Sequence, residues 1–382
     1  MKTQRELLLL TAAAFLLNGC VSSLDDAPCP CAPGYCCWGN KVCRPEKECQ
    51  LRLAFVPKAS NNPVFRVAYA GALQAQSDLN EDTGGPRVDV KCIGPQSLNS
   101  NDQGRAVEQA IESQPDGLIV SCIDPKVITP LINKAHDNNI PVITYDSDCA
   151  QSERLGFYGM LNEDSGRAAA GRLVDAMGKG GPKSVAILTG DASAENLSAR
   201  VKGFMAEIAE LNKPPNNNEV SIVKNMSCNE TADDCARLIE NDIVSPSLDG
   251  LFITGVWGLQ NACTCDEKTG LACTCDDSQM PNWKTAARGK LKTVSYDTLP
   301  FELALLQDYK YLTALISQKY HSWGDETVKL MFGHLTQGAE VPPFVESHFD
   351  VLPTKPGPTQ FSWPPGDFGS ELTDICNTPT PP

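Results

Sequence analysis

The chain has 382 residues and a formal net charge of −15, and its 41% hydrophobic content suits a globular rather than a disordered protein. So acidic a surface repels a phosphate backbone, so nucleic-acid binding is not expected. No run reaches the roughly 18 apolar residues needed to span a bilayer, so an integral transporter or channel is not expected either.

The N-terminus carries the first signal. Lys2 and Arg5 precede an apolar run from Leu7 to Leu17, the length of a signal-peptide core. Leu17-Asn18-Gly19-Cys20 resembles a bacterial lipobox, in which cleavage before the cysteine leaves a thiol to be lipidated. Residues 1–19 are therefore expected to be a lipoprotein signal peptide, with Cys20 the lipidation site. The alternative is an ordinary signal peptide with Cys20 as one more disulfide partner. The chain holds 17 cysteines, too many for a reducing compartment. Setting Cys20 aside leaves an even number, which can pair completely.

Residues 20–50 form a Cys-rich segment. Cys29, Cys31, Cys36, Cys37, Cys43 and Cys49 lie there among Pro and Gly, with few aliphatic residues. So short a segment cannot fold on apolar burial alone, and three disulfides could staple it. A zinc knot is the rival reading; the absence of His and the oxidising setting favour disulfides. The spacing does not choose among the possible pairings.

From Leu51 short apolar runs alternate with helical periodicity. LRLAFVP, VDVKCIG, DGLIVSC and PVITYDS read as strands. FRVAYAGALQAQSDL, GRAVEQAIESQ and VITPLINKAHDNN read as the helices between them. The rhythm restarts after Phe157. Helices GRAAAGRLVDAMG, SARVKGFMAEIAEL and ADDCARLIENDIV alternate with strands SVAILTG, SIVKNM, DGLFITG, KTVSYDT and LTALISQ. Two successive βαβ halves predict an α/β protein with two doubly wound lobes, and the cleft between them is the default site. Lobe one is expected over 51–160 and 319–347, and lobe two over 161–318 and 348–356.

The insert 261–279 carries Cys263, Cys265, Cys273 and Cys275 as CTC…CTC. Two disulfides closing a surface hairpin are favoured there over a metal-thiolate site. Cys228 and Cys235 are close enough to seal a small loop. Residues 357–382 read as a Pro-rich strap, with Cys376 available to tie it back.

Longer stretches carry a resemblance. SNNPVFRVAYAGA, DGLIVSCIDPKVITPLINKAHDNNIPVITYDSD, YGMLNEDSGRAAAGRLVDAM, SARVKGF and TVSYDT, in this order, are similar to type I periplasmic solute-binding proteins of ABC importers, the ribose- and galactose-binding group. The resemblance covers roughly Leu51 to Leu352. It implies two Rossmann-like lobes joined by hinge crossovers, no cofactor and no metal. Gln318 with Gly324 resembles the return hinge. Polar ligand contacts are implied at Asn62, Ser121, Asp146, Arg200, Asp297 and Gln318, with Asn196 one helical turn before Arg200. Phe65 and Tyr296 fall on aromatic positions. Gly255 stands where sugar binders often carry Asn, and Trp257 could supply a ring nearby.

The chemistry of these residues agrees with that resemblance. A sugar presents vicinal hydroxyls and apolar C–H faces. Carboxylates, amides and guanidinium forks engage two hydroxyls at once, and rings cover the C–H faces. Asp146 and Asp297 end two strands on opposite sides of the expected cleft, although each also suits a turn-capping role. A cleft carboxylate contributes little to a core, so Asp297→Ala is expected to leave the protein folded.

No catalytic set stands out. His136, His321, His334 and His348 are scattered, and no metalloprotease, serine-hydrolase or phosphate-loop motif occurs. Asp146 with Asp297 could mimic a glycosidase pair, but the resembled fold uses such groups to bind. A repressor of the lactose type would need a helix-turn-helix where the Cys-rich segment stands.

The expected function is capture of a small sugar or polyol by a monomeric, non-enzymatic, lipid-anchored protein of the cell envelope. The protein would be periplasmic or at the cell surface and would deliver its ligand to an ABC permease. The alternative is a sensory receptor that docks onto a membrane signalling protein.

Overall fold

The computed structural model describes residues 31–352, apart from 39–41, 46–48, 82–84, 97, 179–180, 217, 266–272 and 307–310. The expected signal peptide, Cys20, Cys29 and the Pro-rich strap with Cys376 lie outside the described residues.

The Cys-rich segment forms an antiparallel pair, β1 (Tyr35–Trp38) and β2 (Val42–Pro45). Disulfides Cys31–Cys43 and Cys36–Cys49 staple it. Cys37 is also disulfide-bonded. The favoured disulfide reading thus holds for its described cysteines.

In chain order, the first lobe contains β3 (Gln50–Val56), α1 (Pro63–Glu81), β4 (Arg87–Cys92), α2 (Ser100–Glu112) and β5 (Gly117–Val120). It continues with α3 (Pro125–Asp137), β6 (Val142–Tyr145) and β7 (Gly156–Gly159). The second lobe begins with α4 (Asn162–Met177), β8 (Pro182–Thr189), α5 (Glu195–Leu211), β9 (Glu219–Ser227), α6 (Ala232–Leu238) and β10 (Gly250–Ile253). A 3-10 turn, Val256–Ala262, leads into β11 (Thr264–Cys265) and β12 (Cys273–Thr274). The lobe closes with α7 (Pro281–Arg288), β13 (Lys292–Tyr296), α8 (Pro300–Leu306) and β14 (Ala314–Ser317). The chain then returns through α9 (Tyr320–Gln337) and β15 (Phe344–Glu346) to β16 (Asp350–Leu352).

Each lobe holds a six-stranded sheet. The first runs β15-β7-β6-β5-β3-β4 and is parallel throughout. The second runs β16-β14-β13-β10-β8-β9, with only β16 antiparallel. Every residue of β5, β6, β10 and β14 is buried, as a strand covered by helices on both faces must be. Edge strand β9 is instead largely exposed on alternate residues, which explains its mixed sequence. Strand order reverses at β3/β5 in one lobe and at β8/β10 in the other, so both switch points face the seam between lobes.

Helices pack closely where glycine removes a side chain. A Cβ at Gly324 of α9 would stand 1.9 Å from the Ala68 carbonyl oxygen of α1. The second lobe repeats the device: a Cβ at Gly203 of α5 would stand 1.9 Å from the Glu163 oxygen of α4. Polar caps start other helices. Asn99 accepts from the Asp102 N–H before α2, Asp124 from Lys126 before α3, and Thr231 from Asp234 before α6.

The CTC…CTC insert is a hairpin. Strands β11 and β12 pair antiparallel, and Cys263–Cys275 and Cys265–Cys273 bridge them as nested disulfides. Its base is tied down by Lys284, a wholly buried amine that donates to the Ala262 carbonyl at 2.5 Å and to the Asp276 carbonyl. Cys228–Cys235 seals the expected small loop. A bridge not foreseen from spacing, Cys122–Cys149, joins the chain after β5 to the chain after β6.

Candidate functional site

The first lobe contributes the strand-end wall. Asp146 leaves β6 in the left-handed region, at φ 59°, which Asp tolerates better than most residues. Ser121, at the end of β5, donates its hydroxyl to Asp146 Oδ2 at 2.8 Å. Lys58, two residues beyond β3, lies 3.2 Å from the same oxygen. Both partners of this ion pair are buried, so the charge of each is neutralised chiefly by the other. The Arg154 guanidinium holds Asp148 just outside.

The second lobe supplies the facing groups. Asn196, in the first turn of α5, donates to Asp146 Oδ1 at 3.3 Å and accepts from Lys58 Nζ at 3.5 Å. One helical turn later, Arg200 is buried with every arm of its fork engaged. Nε donates to Asn162 Oδ1 at 2.9 Å, Nη1 to the Thr254 carbonyl at 2.8 Å, and Nη2 to Gln318 Oε1 at 2.7 Å. Its guanidinium carbon lies 4.1 Å from the Tyr296 ring centroid, a cation–π contact.

Gln318 passes the contact on. Its amide donates to Asp297 Oδ1 at 2.6 Å, and the Tyr320 hydroxyl donates to the same oxygen at 3.1 Å. Asp297 Oδ2 accepts the Val256 N–H at 3.0 Å. Burial raises the Asp297 carboxyl above its ordinary value, and Arg200, Gln318 and Tyr320 oppose that shift. Like Asp146, Asp297 is left-handed at its strand end, with φ 80°.

The fold thus gathers two polar networks at the seam: Ser121 and Asp146 with Asn196 across the lobes, and Arg200 with Gln318 and Asp297. A cavity of about 410 Å³ opens beside it, lined by Asp146, Asn162 and Asn196 together with Asp148, Glu163 and Glu195. That volume lies in the range of small-molecule pockets.

The remaining expected residues sit differently. Asn62 caps the start of α1, accepting the Val64 N–H at 3.1 Å. Phe65 is buried against Tyr145 and Trp323, with centroids 6.4 and 6.2 Å away. Tyr296 departs from the expected ring surface. It is wholly buried, its hydroxyl bonds Ser165 Oγ at 2.6 Å, and its ring carries Arg200, so it supports the guanidinium from within. Burial pushes its hydroxyl pKa up to about 12. Trp257 packs against the strand ends: a Cβ at Gly190 or Gly255 would each fall 2.6 Å from its Cζ2.

Residues 53–340 match the family model described as periplasmic binding protein domain. The chain belongs to the periplasmic binding protein family. Its two-lobed architecture is the type I fold, as expected from the alternating strands and helices. Among solved structures, GanP, a glucose-galactose binding protein from Geobacillus stearothermophilus, is 23% identical with a TM-score of 0.65, over 80% of this chain and 98% of that one. An ABC transporter solute-binding protein from Burkholderia graminis, in complex with D-arabinose, is 24% identical with a TM-score of 0.65, over 79% and 95%. A D-ribose/D-allose-binding protein of Pseudomonas aeruginosa is 28% identical over 167 residues, 42% of this chain. That match spans about half the length (49%) of the relative.

Sequence reasoning missed three members of this periplasmic binding protein's cleft wall. Lys58 follows the first strand of the lobe as Ser121 and Asp146 follow theirs, so its position was a usable signal. Asn162 and Thr254 hold Arg200 through a side-chain amide and a carbonyl, and nothing in their spacing marks them.

Proposed function

We propose that the protein captures a small sugar or polyol in the seam between its lobes and delivers it to an ABC permease from an extracytoplasmic, lipid-anchored position. The observation that carries this reading is the chain Asp146–Asn196 and Arg200–Gln318–Asp297, which sets two strand-end carboxylates and a guanidinium at one seam. Such groups hold vicinal hydroxyls through charge-assisted hydrogen bonds. Closure then follows from tighter binding to the closed lobes than to the open ones.

We read the protein as a binder rather than an enzyme. Asp146 is paired with Lys58, and Asp297 accepts from amide and hydroxyl donors. Carboxylates so engaged suit holding hydroxyls better than cycling a proton.

The test is a thermal-shift screen of pentoses, hexoses and cyclitols followed by calorimetry, since a ligand of the folded state raises apparent stability. A micromolar monosaccharide or cyclitol is expected, and failure of every saccharide to bind would overturn the reading. The anchor is tested separately: mass spectrometry of the mature protein should find an acylated Cys20 at its N-terminus, and an unmodified different residue there refutes it.

A further inference from the structure

Between the bridged Cys228 and Cys235 the chain reads Asn-Glu-Thr-Ala-Asp-Asp. Asn229 and Glu230 are both left-handed, with φ 52° and 57°. Asn tolerates that region, whereas Glu is seldom found there. Here the disulfide closes the loop, and Thr231 caps α6 immediately afterwards. The result is a glutamate folded back over the end of β8. A Cβ at Gly190 would fall 2.3 Å from Glu230 Cγ, at the same spot that Trp257 approaches. Glu230 therefore stands at the carboxyl ends of the second lobe's strands, where ligands of such sheets bind.

The charges at the seam do not cancel. Lys58 is paired with Asp146, and Arg200 is joined to Asp297 through Gln318. Glu230 accepts one hydrogen bond, from the Asp191 N–H at 3.3 Å, and has no ion-pair partner among the described residues. The adjoining cavity adds Asp148, Glu163, Asp164 and Glu195 to its rim; Arg154 answers Asp148, Arg167 and Lys202 answer Glu163, and Asp164 and Glu195 have no ion-pair partner among the described residues.

We propose that Glu230 is a specificity-determining residue of the cleft, and that the ligand is a saccharide bearing a protonated amine, which would pair with the Glu230 carboxylate. This rests on the saccharide reading above. Burial raises the Glu230 carboxyl above its ordinary value while Lys58 opposes the shift, and Asp146 across the seam adds to it. A ligand ammonium acts in the same sense as Lys58. The acidic rim attracts such a ligand and repels a uronate.

The test is calorimetry at neutral pH with glucosamine, galactosamine, their neutral parents, their N-acetyl forms and the matching uronates. One amine should bind about tenfold more tightly than its parent, because a charge-assisted hydrogen bond replaces a neutral one. Glu230→Gln keeps the side-chain volume and should bring the two within about twofold of each other. Glu230→Asp withdraws the carboxylate and should also shrink the ratio. Equal binding of amine and parent by the unaltered protein, or a ratio unchanged in both variants, overturns the inference while leaving sugar binding intact. Failure of all these ligands and of the wider saccharide screen overturns both.

Discussion

The Asn196 amide of the second lobe donates to the Asp146 carboxylate of the first across 3.3 Å, and Lys58 sits against both. One carboxylate therefore serves two ends: it faces the seam, and it neutralises a buried lysine. That second duty changes what its removal does.

Asp146→Ala should destabilise the protein by about 3–5 kcal/mol, because it leaves the Lys58 charge buried without its partner. The Lys58 pair sets Asp146 apart from Asp297, where alanine is expected to leave the protein folded. The double variant Lys58→Met with Asp146→Leu should recover most of the loss. Urea unfolding of the three proteins checks this. A single variant as stable as the unaltered protein would mean that the ion pair contributes nothing.

Arg200→Lys should weaken ligand binding roughly ten- to a hundredfold and should also lower stability, since buried acceptors lose their donor. A lysine cannot meet Asn162, Thr254 and Gln318 at once, and it stacks less well on Tyr296. Calorimetry with the ligand found in the screen measures it. Equal affinity in the two proteins would remove Arg200 from the site.

The Cys122–Cys149 bridge closes a loop of sequence separation 27, which corresponds to about 3.5 kcal/mol of restricted unfolded-chain entropy. It also ties Ser121 and Asp146, each within a few residues of a bridge cysteine, into one unit. The double serine variant should melt at a lower temperature and bind ligand more weakly. An unchanged melting temperature would contradict the entropic account.

Glu302 provides the pH prediction. It is wholly buried, its Oε2 accepts the Leu299 N–H, and burial with nearby Asp297 raises its carboxyl well above the ordinary 4.5. A raised folded-state value means that the folded protein holds the proton longer than the unfolded chain. Stability is therefore lost as pH rises from about 4.5 to the folded-state value, by about 1.4 kcal/mol per pH unit, and is level above it. Glu302→Gln lacks this titration. Its melting temperature should gain on that of the unaltered protein through that window, and a gap constant from pH 4.5 upward would refute the shift.

Free thiols complete the set. Each described cysteine is disulfide-bonded, and the mature protein, with Cys20 acylated, should give close to no reaction with a thiol reagent after unreduced denaturation. Several reactive thiols would contradict this.

The architecture was legible in the sequence because its strands are buried on both faces. Runs such as GLIV, VITY and GLFI have no polar alternation to hide in, and the helices between them keep their period. Asp146 and Asp297 were legible for the same reason, as the first polar residues after VITY and TVSY. That the insert's cysteines pair among themselves, and Cys228 with Cys235, followed from short loops, which leave few partners in reach; the nested order within the insert came from the hairpin. What local pattern could not supply was contact between residues far apart in the chain. Lys58 meets Asp146 and Asn196 from 88 and 138 positions away, and Cys122 meets Cys149 only because β5 and β6 are neighbours in the sheet. Tyr296 carries an aromatic signature equally suited to a sugar or to a guanidinium, and the Arg200 side chain that α5 lays over its ring decided between them. Left-handed Glu230 turns toward the seam through a loop conformation that no sequence period encodes. Chain order and burial pattern are properties of neighbours along the sequence; the charge balance of the cleft depends on which strand ends the two sheets bring together.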